Sequence, residues 1–207
     1  MGRDFAGQAQ PGWTAGGRGA DTTSQRRLAA VLAPGYGGTS EQPILVALAA
    51  RLLAAGIVPR AISYSRTRPT GDYRSELDDV QRARDELLKG GAERIALVGR
   101  SFGGRMCARL AAHAPPDALV LLGHPISPPG RPRPDDEAAL AAVTCPTLIV
   151  QGDRDALGPL DVLRRIALTN AAISLEVLDG VGHQFGPRTG QAIERATTWL
   201  LETLSAP

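Results

Sequence analysis

Apolar and polar positions along this chain fall into short blocks whose period changes repeatedly. LAAVLA at 28–33, VPRAISY at 58–64, RIALVG at 94–99, ALVLLG at 118–123, PTLIVQG at 146–152 and ISLEVL at 173–178 are mostly apolar runs of strand length. Such runs suit strands buried on both faces of a parallel sheet. Between them the period lengthens. PILVALAARLLAAG at 43–56 reads as a helix with a glycine stop. SELDDVQRARDELLKGG at 75–91 places Leu77, Val80, Ala83, Leu87 and Leu88 at helical spacing. Ser75, Asp78 and Asp79 favour the start of that helix, and Gly90 its end. Further helices are expected over 102–114, closed by Pro115 and Pro116, near 135–142, over 160–168 and over 191–204.

Strand and helix thus alternate from Leu28 onward. Right-handed crossovers between parallel strands place helices on both faces of the sheet. The expected fold class is α/β, a three-layer sandwich around a mainly parallel central sheet. Neither a repeat nor a second domain is expected. The segment between the strands at 118–123 and 146–152 holds only a proline-rich loop, HPISPPGRPRP, and one short helix. Residues 1–26 are rich in Gly, Ala, Gln, Thr and Arg and show no period. They read as a mobile arm ahead of a domain spanning 27–207.

Composition narrows the classes further. A chain of 207 residues can bury a sizeable core. A formal net charge of +2 is too small for a nucleic-acid footprint. Lys89 is the only lysine, so the cationic surface is almost entirely arginine. Cys107 and Cys145 form no CxxC pattern and read as small buried hydrophobes in a reducing compartment. No run is apolar and long enough to span a bilayer, and the N-terminus lacks the apolar core of a signal peptide. No membrane partner and a cytoplasmic location are the expectation.

In such sheets ligands bind at the carboxyl ends of the strands. Those ends carry PGYGG, SRTRP, GRSFGG, GHP, GDRD and DGVGHQF in turn. A serine, an acidic pair and a histidine therefore share one edge. GRSFG fits G-x-S-x-G and lies between a strand and a helix, the setting in which a tight turn exposes a serine Oγ. A serine hydroxyl needs a base to take its proton, and the base needs a carboxylate to orient it. Of three histidines, His183 sits in the loop after the last strand. His124 follows the strand next to the serine and suits a structural or substrate-lining place. His113 lies late in a helix, where the helix dipole accounts for it. Asp153 and Asp155 are both candidates for the acid. Reach to a neighbouring loop favours Asp155, while Asp153 can cap the turn. PGYGG, after the first strand, supplies the second oxyanion donor: the amide of Tyr36 pairs with that of Phe102, and Gly35 and its neighbours let backbone approach the substrate. Arg66 and Arg68, after the second strand, are candidates to meet a substrate carboxylate.

LAPGYGG, GRSFGGR, PTLIVQGDRD and GVGHQF together resemble the α/β-hydrolase superfamily over roughly 28–204. The likeness is strongest to the small dienelactone-hydrolase-related branch without a cap domain. The order Ser101, Asp155, His183 is the one such hydrolases use. In that family the strand before the acid ends in G-x-x-D, which maps onto Gly152 and Asp155. HPISPPGRP is similar to a Y-P-[IL]-x-P-P-G-[KR]-P segment of some short members, with His124 in place of the tyrosine. True dienelactone hydrolases use a cysteine where Ser101 stands here. The resemblance implies a serine hydrolase acting on a small-molecule ester or thioester through an acyl-enzyme, with no cofactor and no metal. Two other readings compete: a non-catalytic interaction module on the same scaffold, and an acyltransferase or perhydrolase using the same residues.

Overall fold

The computed structural model describes residues 27–206. The expected arm over 1–26 lies outside the described residues. These form a six-stranded parallel sheet with strands β1 (Leu28–Ala33), β2 (Ile57–Ala61), β3 (Arg94–Arg100), β4 (Ala118–Leu122), β5 (Thr147–Gly152) and β6 (Ile173–Leu178). The helices are α1 (Pro43–Ala54), α2 (Arg74–Lys89), α3 (Phe102–Ala111), α4 (Pro134–Ala141), α5 (Leu160–Thr169) and α6 (Thr189–Ser205). All the expected elements are present. The sheet is wholly parallel, and no cap domain is inserted among the described residues.

The strand order β2-β1-β3-β4-β5-β6 dictates where the helices go. From β1 to β2 the chain steps one way across the sheet, and from β2 onward it steps the other way. Right-handed crossovers then put α1 on one face and α2 to α5 on the opposite face. α6 follows the last strand and covers the first face beside α1. Alternate strand residues feed the two resulting cores. Ala30, Leu32, Ala96, Val98, Val120, Leu122, Leu148 and Val150 pack toward α1 and α6. Val31, Leu97, Leu119, Leu121 and Ile149 pack toward α2 to α5 with Met106, Leu140 and Leu163. This double burial is why the central strands read as unbroken apolar runs. Cutting Leu97 back to alanine removes about 2–5 kcal/mol, as for other enclosed leucines.

The edge strands differ. β2 alternates between buried and exposed positions and tolerates Pro59, which cannot donate to a ladder, because only β1 lies beside it. It ends at Ala61, so the expected 62–64 belong to the following loop. Pro43 opens α1, where a missing N–H costs nothing. α3 stops at Ala111, earlier than the prolines at 115 and 116 suggested. Cys107 and Cys145 are both buried free thiols, as expected, and burial pushes both pKa values up.

The point where the chain leaves the sheet in opposite directions lies between β1 and β3. A crevice opens outside the carboxyl ends of strands at such a switch point. Here it falls between PGYGG and GRSFGG.

Candidate active site

β3 runs into α3 through Ser101, whose φ of 51° and ψ of −116° lie in a region that costs a non-glycine residue about 1–3 kcal/mol. The surroundings hold it there. The Ser101 N–H donates to Leu122 O at 3.0 Å, and Ser101 O accepts from Gly104 N–H at 2.8 Å. The turn closes only because two flanking positions lack side chains. A Cβ on Gly99 would lie 2.4 Å from Gly104 Cα, and one on Gly103 would lie 2.2 Å from Ala33 O.

Three loops converge on this serine. His183 Nε2 lies 2.8 Å from Ser101 Oγ, and His183 Nδ1 lies 2.8 Å from Asp155 Oδ2. The Asp155 side chain is fully enclosed and its acceptors are filled. Gln151 Nε2 donates to Oδ2 at 2.8 Å and Leu157 N–H to Oδ1 at 2.9 Å. Asp153 points elsewhere: its Oδ1 accepts the Val181 N–H at 3.1 Å and ties the two loops together. The geometry thus separates the two aspartates that the sequence offered, and Asp155 is the one beside the histidine.

Arg100 and Gln151 were not singled out from the sequence. The Arg100 guanidinium lies 3.2 Å from His183 Nε2 through Nη1 and donates through Nη2 to His183 O at 2.7 Å and Gln184 Oε1 at 3.0 Å. Arginine has no acceptor, so Nε2 must present its lone pair. The imidazole proton is thereby assigned to Nδ1, facing Asp155. Burial lowers the Arg100 pKa to about 10, with Asp155 opposing, so the group is cationic at neutral pH. Gln151 spans from the His124 N–H, accepted at 2.8 Å, to the Asp155 carboxylate. A glutamine at the end of the apolar run PTLIV was the sequence's one sign of it.

The PGYGG loop lies beside the serine. A Cβ on Gly35 would sit 3.5 Å from Ser101 Cβ. The Gly35 N–H is held by Gln42 Oε1 at 3.0 Å, and the Gly38 N–H by Gly35 O at 2.9 Å. Among the described residues the amides of Tyr36 and Phe102 have no hydrogen-bond acceptor. The Phe102 ring makes edge contacts with Tyr36, Tyr64 and Tyr73 at centroid distances of 6.0, 5.5 and 5.8 Å.

The remaining candidates part company. His124 is 0% exposed, so the expectation that it lines a substrate site is corrected: it is an interior residue. Neither of its ring nitrogens has a partner among the described residues, and burial lowers its pKa to about 4. Arg66 and Arg68 are exposed on the β2–α2 loop. Arg66 borders a hollow of about 150 Å³ next to Phe102 and Tyr64, and Arg68 does not line it. A larger cleft, about 610 Å³, opens on the other side of Phe102 against Tyr36 and Tyr73. A hollow of similar size, about 640 Å³, borders Leu28, Val58 and Leu201 at the amino ends of β1 and β2. It is on the edge of the sheet opposite the serine. No group of three His, Cys, Asp or Glu among the described residues is arranged to hold a metal ion. No described helix is long and apolar enough to cross a membrane.

Fold and site together define an α/β hydrolase domain. The model of that family matches residues 26–203, and the chain belongs to it. No curated protein matches the chain. Solved structures do. Est1E from Butyrivibrio proteoclasticus, determined with ferulic acid bound, superposes with a TM-score of 0.71 at 18% identity, over 90% of this chain and 93% of that one. An alpha-beta serine hydrolase homologue from Coxiella burnetii gives 0.69 at 21% identity, over 88% of each chain. A monoacylglycerol lipase from Paleococcus ferrophilus gives 0.69 at 15% identity, over 84% and 94%. At such identities the likeness is one of fold.

Proposed function

We propose that this protein is a serine hydrolase that cleaves a carboxylic ester or thioester through an acyl-enzyme. What carries the reading is the unbroken line from Ser101 Oγ through His183 to Asp155, with 2.8 Å at each joint, on a serine held at positive φ. His183 Nε2, with its lone pair facing the hydroxyl, takes the proton as Ser101 Oγ attacks the carbonyl carbon. Asp155 holds the imidazole and stabilises its cation. Negative charge developing on the carbonyl oxygen is met by the amides of Tyr36 and Phe102, each such donor contributing about 2.7–4 kcal/mol. His183 then protonates the leaving alcohol or thiol. Water repeats the sequence on the acyl-enzyme and frees the acid.

The esterase and lipase among the structural neighbours agree with this reading through their fold. The test is hydrolysis of 4-nitrophenyl and thioester substrates of graded acyl length. Wild type is expected to turn over at least one class, and Ser101→Ala to lose at least about a thousandfold in kcat. Acid release that persists in Ser101→Ala would remove the proposal. Adding hydroxylamine separates hydrolysis from acyl transfer by the products formed.

A further inference from the structure

The cleft beside Phe102 joins an aromatic floor to a row of guanidinium groups. Tyr36, Tyr73 and Phe102 line it with Arg105, Arg131 and Arg133. Its charge is not balanced from within. The buried Asp136 is shared: Oδ2 accepts from Arg105 Nε and Oδ1 from Arg109 Nε, both at 2.6 Å. One carboxylate thus faces two guanidinium groups. Arg131 and Arg133 have no carboxylate within 4.0 Å among the described residues, and Arg133 spends one donor on Pro125 O at 3.1 Å. Of the other carboxylates nearby, Asp135 is exposed at the start of α4 and makes no ion pair among the described residues, and three are engaged. Glu76 accepts from Thr70 through its N–H and hydroxyl, Glu137 binds Ser127 and Arg165, and Asp72 pairs with Arg74. The Arg133 pKa is lowered by burial first and by the Arg105 guanidinium next, with Asp136 opposing. Arg105 also lies over the Tyr73 ring at 5.0 Å and donates to Tyr73 Oη at 3.2 Å, which fixes the floor.

Tyr36 and Phe102, whose amides are the proposed oxyanion donors, both line this cleft, and their chain neighbours face each other: a Cβ on Gly35 would sit 3.5 Å from Ser101 Cβ. A substrate arm extending from a carbonyl held by those two amides would have the rings, Arg131 and Arg133 within the same cleft. Resting on the hydrolase reading above, we propose that the cleft is an anion subsite, and that the substrate is an ester or thioester whose cleft-facing arm ends in a carboxylate or phosphate. Guanidinium forks suit both anions. These arginines come from the loop 124–134 and not from Arg66 and Arg68, so the anion is held on the α4 side of Phe102.

Two matched ester pairs test this. The 4-nitrophenyl monoester of glutaric acid is compared with its methyl-capped form, and 3-carboxy-4-nitrophenyl butyrate with 4-nitrophenyl butyrate. The first pair places the anion on the acyl side, the second on the leaving group. Wild type is expected to show a lower KM for the anionic member of one pair. Arg131→Gln with Arg133→Gln is expected to cut that preference roughly tenfold, and added salt to weaken it in wild type. Equal KM values in both pairs, or a preference the double variant keeps, overturn the subsite while leaving the hydrolase reading intact. Binding of glutarate and of inorganic phosphate to Ser101→Ala, measured by calorimetry, separates the two anions and needs no turnover. If wild type cleaves no ester, binding that the arginine variant loses upholds the subsite and sinks the hydrolase reading. Failure of both anions to bind overturns the subsite.

Discussion

Arg100 Nη1 lies 3.2 Å from His183 Nε2, on the same nitrogen that faces Ser101 Oγ at 2.8 Å. The residue just before the serine therefore contacts both the ring and the loop of the histidine. It fixes the imidazole tautomer by offering Nε2 only a donor, and it pins the histidine loop through His183 O and Gln184.

Arg100→Met keeps the length of the side chain and removes both effects. It is expected to lower kcat by about 10- to 100-fold, the cost of a misplaced reacting group, with little change in KM. Wild type is expected to give a sharp downfield resonance for the His183 Nδ1–H proton facing Asp155, and the variant to lose it. A variant with wild-type kcat and an unchanged spectrum would make Arg100 a packing residue only.

The two aspartates of GDRD should separate kinetically. Asp155→Asn keeps the shape but replaces a carboxylate with an amide beside His183 Nδ1. A loss of about 10⁴ in kcat is expected, as when other triads lose their carboxylate. Asp153→Asn can still accept the Val181 N–H, so a loss below about tenfold is expected. Steady-state kinetics of both variants decide the assignment, and the reverse ranking would move the acid to Asp153.

His124 makes a separate prediction about stability. Burial holds its folded pKa near 4, with Asp136 raising it and Arg105 and Arg133 lowering it, against an ordinary value of 6.5. Between those values the unfolded chain takes up a proton that the folded chain refuses. The stability that neutral His124 allows is complete above about pH 6.5 and is lost as pH falls toward 4. The loss amounts to about 3 kcal/mol by linkage. Urea unfolding of wild type and His124→Phe across this range should show a shallower acid decline in the variant. Parallel curves would contradict the assignment.

Much of this was legible in the chain because the central strands are buried on both faces, which leaves apolar runs such as ALVLL and LIV with few readings. Once the strand ends were placed, Ser101, Asp155 and His183 fell on one edge. The choice of Asp155 needed a family spacing as well, because distance along the sequence does not show which carboxylate turns toward a loop 28 residues away. Arg100 and Gln151 stayed hidden for a different reason. Each is a polar residue at the end of an apolar strand, and its meaning lies in partners from other strands. His124 misled because a histidine at a strand end is near the edge in sequence yet enclosed in space. Arg131 and Arg133 read as part of a proline-rich loop until the fold brought that loop against Phe102.

The central claim is that Ser101 is an activated nucleophile. Intact-mass analysis after treatment with a fluorophosphonate probe tests it most directly. The account predicts that wild type gains the mass of one probe less HF, as Ser101 Oγ displaces fluoride from phosphorus, and that Ser101→Ala, folded, gains none. A folded wild type that stays unlabelled, or a Ser101→Ala that labels equally, would contradict it.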